Sequence, residues 1–437
     1  MKGDAMRAMA VMTSLVLTLL IAGPARGEEA PPGARAFNGL SWTVVRTPPD
    51  RRAELPELRR WRNVFLGDVR PFPDRKIPPV FWFADRGVEF GVVFQTRAAP
   101  LVMLIAGTGG AFDTQSNREL ARALYAAGMH VVGLASPTHP SFIVNGSSSG
   151  VPGRPAADAA DLYRVMQMVL ERIRGRIAIA DIHLAGFSLG ALNAAWVADL
   201  DRRQGKIGFD KVLLLNPPVS LWNSTGLLDA MFDRHVPDTA RGQRELFDRI
   251  FAQFARVFSR ARESPLEGDF LFNAYEQLEP TDAALETLIA LTFRLAAMNM
   301  IFASDVMSKA GYMVSVDAEL QPTTSLSPFI GPLLAKRFSD YFDGIYLPHI
   351  QKSEPGFTKD AAIAEASLYP LETFLRGDDR IGVLTNRDEI ILAPAELDWL
   401  EQVFGPRAIL FDEGGHGGNY LRPDVVAAID AFFRGRP

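Results

Sequence analysis

Residues Ile182–Ala195 read IHLAGFSLGALNAA. The apolar run before Gly186 has the length and composition of a buried strand. The small residues after it (Gly190, Ala191, Ala194 and Ala195) suit the first turns of a helix packed tightly on a sheet. Between them, Gly186-Phe187-Ser188-Leu189-Gly190 fits G-x-S-x-G. A serine between strand and helix sits on a sharp turn. Glycines two before and two after it let the backbone bend and let strand and helix approach. Such a turn lifts the Ser188 hydroxyl clear of the sheet's end.

Working outward, the same alternation recurs. Leu101–Ala106, His130–Ala135, Lys211–Leu215, Arg380–Thr385 and Arg407–Phe411 are strand-length apolar runs. Amphipathic stretches at Ser116–Ala127, Ala156–Arg174, from the elbow to about Arg203, Pro394–Phe404 and Pro423–Phe433 separate them. Short apolar strands alternating with such helices predict a mostly parallel sheet covered on both faces. Two β-prone runs, Phe81–Phe83 and Val88–Thr96, read as antiparallel edge strands. Between residues 220 and 376 no strand pattern appears. Helical segments at Gly242–Ser259, Asp282–Met307 and Pro328–Phe342 predict a helical cap inserted between two strands, because so long a structureless loop is improbable in a compact domain. The core is then 81–219 with 377–437. Residues 28–80, broken by Pro31-Pro32, Pro48-Pro49 and Pro71-Phe72-Pro73, read as an irregular arm. A strand is expected at Ser41–Val45, with Trp42, Trp61 and Phe65 pinning the arm to the body.

Composition narrows the function classes. The chain is 48% hydrophobic and 22% charged with a net charge of -5, so no basic face is offered to nucleic acid. It has no cysteine, which removes thiol nucleophiles, thiolate metal sites and disulfides. Lys2 and Arg7 precede the apolar run Ala8–Ala22, and small residues follow at Gly23-Pro24-Ala25 and Ala25-Arg26-Gly27. This is the layout of a cleavable export signal over 1–27, with an N-terminal membrane anchor as the alternative. At about 15 residues the run is shorter than a stable span. Periplasmic or secreted residence is expected.

The glycine-flanked serine resembles the nucleophile elbow of the α/β-hydrolase superfamily. The resemblance extends over Phe81–Ser220 and Arg380–Pro437. It implies an α/β fold with an inserted helical cap, and Ser188 as nucleophile with the Leu189 N–H at the oxyanion. Acyl transfer also needs a base, an acid that orients it and further oxyanion donors. Of the 6 histidines, His416 lies in Gly414-Gly415-His416-Gly417-Gly418, after the last strand and before the last helix, where the resemblance places the base. His139 follows an earlier strand, out of order for that role. His130 and His183 open strands, and His235 and His349 fall in the cap.

The chain order Ser, acid, His puts the acid after Arg380–Thr385, in Thr385-Asn386-Arg387-Asp388-Glu389-Ile390-Ile391. Asp388 is the choice there, with Glu389 its neighbour. The end of the preceding strand, Asn216-Pro217-Pro218, offers no carboxylate. The loop Ala106-Gly107-Thr108-Gly109-Gly110 stands where many relatives carry His-Gly. It is expected to supply the Thr108 N–H, or else that of Gly109. The loop lacks the spacing of a dinucleotide fingerprint or P-loop. No cofactor and no metal is implied. The reaction implied is hydrolysis of a small or polymeric carboxylic ester. A lipase, polyester depolymerase or peptidase would use the same residues, and a non-catalytic envelope binding protein would keep only the fold. Phe293, Met298, Met300, Phe302 and Met307 are either helical core or the lining of an apolar substrate pocket.

Overall fold

The structure is a computed structural model that describes residues 37–56, 58, 64–237, 239, 241, 242, 245, 246 and 269–435. The leader 1–27, the start of the arm, Trp61 and most of the helix expected at Gly242–Ser259 lie outside those residues.

The β-branched and leucine-rich runs form one 8-stranded sheet. Its strands are β1 (Val64–Val69), β2 (Val88–Val93), β3 (Ala99–Ile105), β4 (His130–Leu134), β5 (Ile179–Phe187), β6 (Val212–Leu215), β7 (Ile381–Asn386) and β8 (Ala408–Phe411). The order across the sheet is β1-β2-β4-β3-β5-β6-β7-β8. β1 and β2, and β2 and β4, pair antiparallel; all later neighbours are parallel. The central strands are apolar throughout because both faces are covered. Leu101, Met103 and Ile105 pack on one side of β3 under the helices Pro155–Ile173 and Leu189–Gln204, while Val102 and Leu104 pack on the other with Leu120, Leu124, Val425 and Ile429. Together with the cap between β6 and β7, this order and this two-sided cover make it an α/β-hydrolase fold.

The chain leaves β3 for β4 on one side and returns to β5 on the other. The crevice at the carboxyl ends of β3 and β5 is therefore a topological switch point, where ligands of open α/β sheets bind. The loop after β3 and the serine after β5 both open there.

Three local expectations are corrected. Ser41–Val45 is helical, within Gly39–Val45. Asn38 caps that helix: its side chain accepts from the Ser41 amide at 3.0 Å, and the Ser41 hydroxyl accepts from the Asn38 amide at 2.7 Å. This reciprocal box outweighs the strand preference of Trp-Thr-Val-Val. Phe81–Phe83 lies in a 3₁₀ turn, Pro79–Ala84, entered through Pro78 and Pro79. The first edge strand is instead β1, inside the stretch read as irregular arm.

Between β6 and β7 the described residues form a series of helices joined by turns and loops. The longest piece, Asp282–Ser308, is apolar enough to cross a membrane by composition, yet 78% of its most apolar window is buried inside the protein. A helix apolar all round is a core helix. Met298, Met300 and Phe302 sit in that core with Leu285, Leu291 and Ile301; Val44, Val45 and Val80 from the arm join the same cluster, with Phe81 next to them. The segment expected as one helix at Pro328–Phe342 is two, Ser327–Leu334 and Phe338–Tyr341, followed by a π turn, Phe342–Tyr346.

Candidate active site

Ser188 follows β5 directly and caps the next helix with φ 56° and ψ -125°, a left-handed conformation that a β-carbon disfavours. Such a residue stores strain of about 1–3 kcal/mol, which its surroundings must hold. They do so through backbone. The Ser188 N–H donates to the Leu215 carbonyl at 2.9 Å. A methyl on Gly186 would stand 2.0 Å from the Gly190 oxygen, and one on Gly190 would stand 2.4 Å from the Ile105 oxygen. Only glycine fits at either position, so the turn folds back on itself and against β3.

His416 meets the serine. Its Nε2 lies 2.9 Å from Ser188 Oγ, and its Nδ1 lies 2.9 Å from Glu389 Oε1. The Phe187 ring packs beside the imidazole, with centroids 4.9 Å apart. The Glu389 side chain is only 1% exposed, against 15% for His416. Its Oε1 also accepts from the Ile390 amide at 2.9 Å, and its Oε2 from Asn216 Nδ2 at 2.7 Å. The Tyr420 hydroxyl donates to Asn216 Oδ1 at 2.6 Å, which fixes the amide with its nitrogen toward Glu389. Asn216, at the end of β6, thus holds the carboxylate that its own position does not supply. Nothing in the one-dimensional pattern marked that role beyond its place at a strand end.

The acid facing the histidine is therefore Glu389, and the choice of Asp388 is corrected. Neighbours on a tight turn point apart. Asp388 Oδ1 instead accepts the Gly415 N–H at 2.8 Å, fastening the histidine loop. Burial pushes the Asp388 carboxyl above its ordinary range, opposed by the amides of Gly415 and Gly414; the neighbouring Glu389 charge pushes the same way as burial.

Of the expected oxyanion donors, Gly109 is corrected. Its N–H is occupied by Thr138 Oγ1 at 2.8 Å, and Thr138 is bonded in turn to Ser136. The amides of Thr108 and Leu189 have no acceptor among the described residues. They flank the serine from the β3 loop and from the first turn of the elbow helix. A methyl on Gly107 would lie 3.2 Å from the Ser188 β-carbon, so this loop passes directly beside the nucleophile.

The cap closes over this crevice. Gly109 lies under Ala296 of the long helix, whose β-carbon a methyl at Gly109 would approach to 2.7 Å. Ser188 is left 9% exposed. Met298, Met300 and Phe302 are core side chains. Among the other histidines, His139 caps the helix Pro140–Asn145, and its Nδ1 accepts from the Ser141 amide at 3.3 Å. Burial pushes that ring down to about 4, so it is neutral. His235 bonds Glu286 at 2.7 Å within the cap, and His130 bonds the Ala178 carbonyl at the opposite end of the sheet.

No protein-family model matches the chain, and no curated protein does. Solved structures resemble it at low identity. A thermostable esterase from Pseudomonas putida is 14% identical, with 79% of this chain and 76% of that one covered and a TM-score of 0.37. A thermophilic carboxylesterase cloned from a metagenomic library is 15% identical over 90% and 93%, with a TM-score of 0.38. An esterase from Pyrobaculum calidifontis is 15% identical over 91% and 89%, with a TM-score of 0.39.

Proposed function

We propose that the protein is a serine hydrolase of carboxylic esters that works through an acyl-enzyme on Ser188. One observation carries the reading: the unbroken line Ser188 Oγ–His416 Nε2–His416 Nδ1–Glu389 Oε1, each hydrogen bond 2.9 Å long. Serine is a poor nucleophile at neutral pH unless a base takes its proton as it attacks. His416 Nε2 accepts that proton while Oγ bonds to the acyl carbon and the carbonyl electrons move onto oxygen. The Thr108 and Leu189 amides stabilise the oxyanion. The intermediate collapses, the C–O bond to the alcohol breaks, and His416 returns the proton to the leaving oxygen. A water then attacks the acyl-enzyme, with His416 again as base, releasing the acid and restoring Ser188. Glu389 holds the Nδ1–H tautomer and offsets the transient imidazolium charge.

The low exposure of Ser188, with Ala296 of the cap packed on the nearby Gly109, favours a small ester over a polymer or a folded peptide chain. The leader, with Lys2 and Arg7 ahead of Ala8–Ala22, supports export as part of the same proposal. Fractionation of cells expressing the tagged full chain tests it, and a wholly cytoplasmic product would remove it.

The test of the chemistry is fluorophosphonate labelling beside release of nitrophenol from short-chain esters, with peptide anilides in parallel. Wild type is expected to label and turn over esters, and Ser188→Ala to do neither. Its residual rate should be at least about 10⁴-fold lower. Absence of labelling in wild type would favour a binding protein that keeps only the fold. Peptide cleavage without ester turnover would replace the esterase reading with a peptidase.

A further inference from the structure

The histidine loop is shaped by a segment that the proposed chemistry does not use. His416 donates its backbone N–H to Thr43 Oγ1 at 2.9 Å, across a sequence separation of 373. The Thr43 hydroxyl, its proton given to the Gly39 carbonyl at 2.6 Å, presents a lone pair to that amide. On either side of His416 the loop touches the same helix, Gly39–Val45. A methyl on Gly415 would stand 2.1 Å from the Gly39 oxygen, and one on Gly418 would stand 1.9 Å from the Trp42 oxygen. Just beyond the helix, Arg46 Nη2 donates to the Gly417 carbonyl at 3.0 Å and Thr47 Oγ1 to the Gly418 carbonyl at 2.9 Å. Every residue from Gly415 to Gly418 therefore rests on the arm.

We infer that the helix Gly39–Val45 is a strut that sets the height of the His416 imidazole over Ser188, with Thr43 as the positioning residue. The inference rests on the Ser188–His416–Glu389 reading given above. Thr43 touches neither Ser188 nor Glu389; it acts through the backbone of His416. A glycine-rich loop has many conformations of similar energy. The strut selects the one in which both ring nitrogens are at bonding distance. The same helix is tied to the cap, since Asn38 Nδ2 donates to Asp282 Oδ1 at 3.1 Å. Arg52, farther along the arm, pairs with Asp269 at 2.5 Å. The arm thus spans from cap to base and fixes one relative to the other.

The experiment compares Thr43→Val, which keeps the shape and removes the acceptor, with Thr43→Ser, which keeps the acceptor. Thr43→Val should lower kcat roughly ten- to hundredfold, the scale of a misplaced catalytic group. KM should stay within about twofold, because the substrate contacts are untouched. Fluorophosphonate labelling of Ser188 should slow in proportion, and Thr43→Ser should recover most of both rates. Circular dichroism melts check that each variant is folded at the assay temperature. If Thr43→Val labels and turns over like wild type, the strut fails while the triad stands. If Thr43→Ser is as slow as Thr43→Val, the acceptor is not what positions the loop, and the inference falls. If wild type itself does not label at Ser188, the triad reading fails first.

Discussion

Serine and histidine arrive at the same crevice by opposite means. The elbow of Ser188 is held by its immediate neighbours: Gly186 against Gly190, Gly190 against Ile105, and the Ser188 amide on Leu215. Its glycines serve close backbone packing within one strand–turn–helix unit. The loop of His416 is rich in glycine for a related reason, but its partners are remote. Gly415 and Gly418 leave room for the carbonyls of Gly39 and Trp42, and Gly415 and Gly417 take positive φ at 53° and 71°. One site member is locally encoded. The other is held by an arm at the far end of the chain.

The sharpest way to break this comparison is at Glu389, the side chain that orients the histidine and belongs to neither partner segment. Glu389→Gln keeps the shape but cannot hold the Nδ1–H tautomer as a charged acceptor. It is expected to lower kcat by about 10³–10⁴-fold, as loss of the triad acid does elsewhere. The check is steady-state ester hydrolysis beside Asp388→Asn, expected within about tenfold of wild type because an amide oxygen still accepts the Gly415 N–H. The reverse ranking would return the role to Asp388.

That pair of carboxylates also marks how far the sequence could be read. The strands, the elbow and the position of His416 were legible because each depends on a local pattern: apolar runs between turns, glycines about a serine, glycines about a histidine. The choice between Asp388 and Glu389 depends on which way each faces off one turn, and that is decided by Asn216 and Gly415 in two other parts of the chain. The helix Gly39–Val45 was hidden by its β-branched composition, although Asn38 and Ser41 carried the capping signal. Gly109 was eliminated only by Thr138, which arrives from the loop after β4.

The arm's hold on the histidine loop can be broken next at a buried ion pair. Arg46 bonds both oxygens of Glu119 at 2.7–2.9 Å, with side chains only 10% and 9% exposed, while also reaching Gly417. Arg46→Met strips the Glu119 carboxylate of its ion-pair partner, leaving it only the Gln115 Nε2 donor at 3.2 Å, and should destabilise the fold by about 3–5 kcal/mol in urea titration. Adding Glu119→Gln should recover part of that loss, because the stranded charge is what makes a broken pair expensive. An Arg46→Met melt equal to wild type would show that the arm carries little of the loop's stability. The elbow should be indifferent: Ser188 and its glycines have no bond to Arg46.

The smallest expected effect separates fastening from catalysis at Asp388. Removing the acceptor with Asp388→Ala leaves the Gly415 N–H without its partner, and should cost about 1–3 kcal/mol. The pH dependence of that site has a definite sign. Burial raises the folded-state pKa of Asp388 above its ordinary 3.8, so between those two values the native protein binds more protons than the unfolded chain. Stability contributed by this group is full below the ordinary value and declines as pH rises through the folded one. Asp388→Asn, which keeps the bond and removes the titration, should therefore flatten the slope of unfolding free energy against pH above the ordinary carboxyl value. Chemical denaturation across that range is the measurement. A slope unchanged by Asp388→Asn would place the burial penalty on another carboxyl and reduce Asp388 to a plain hydrogen-bond acceptor beneath the loop.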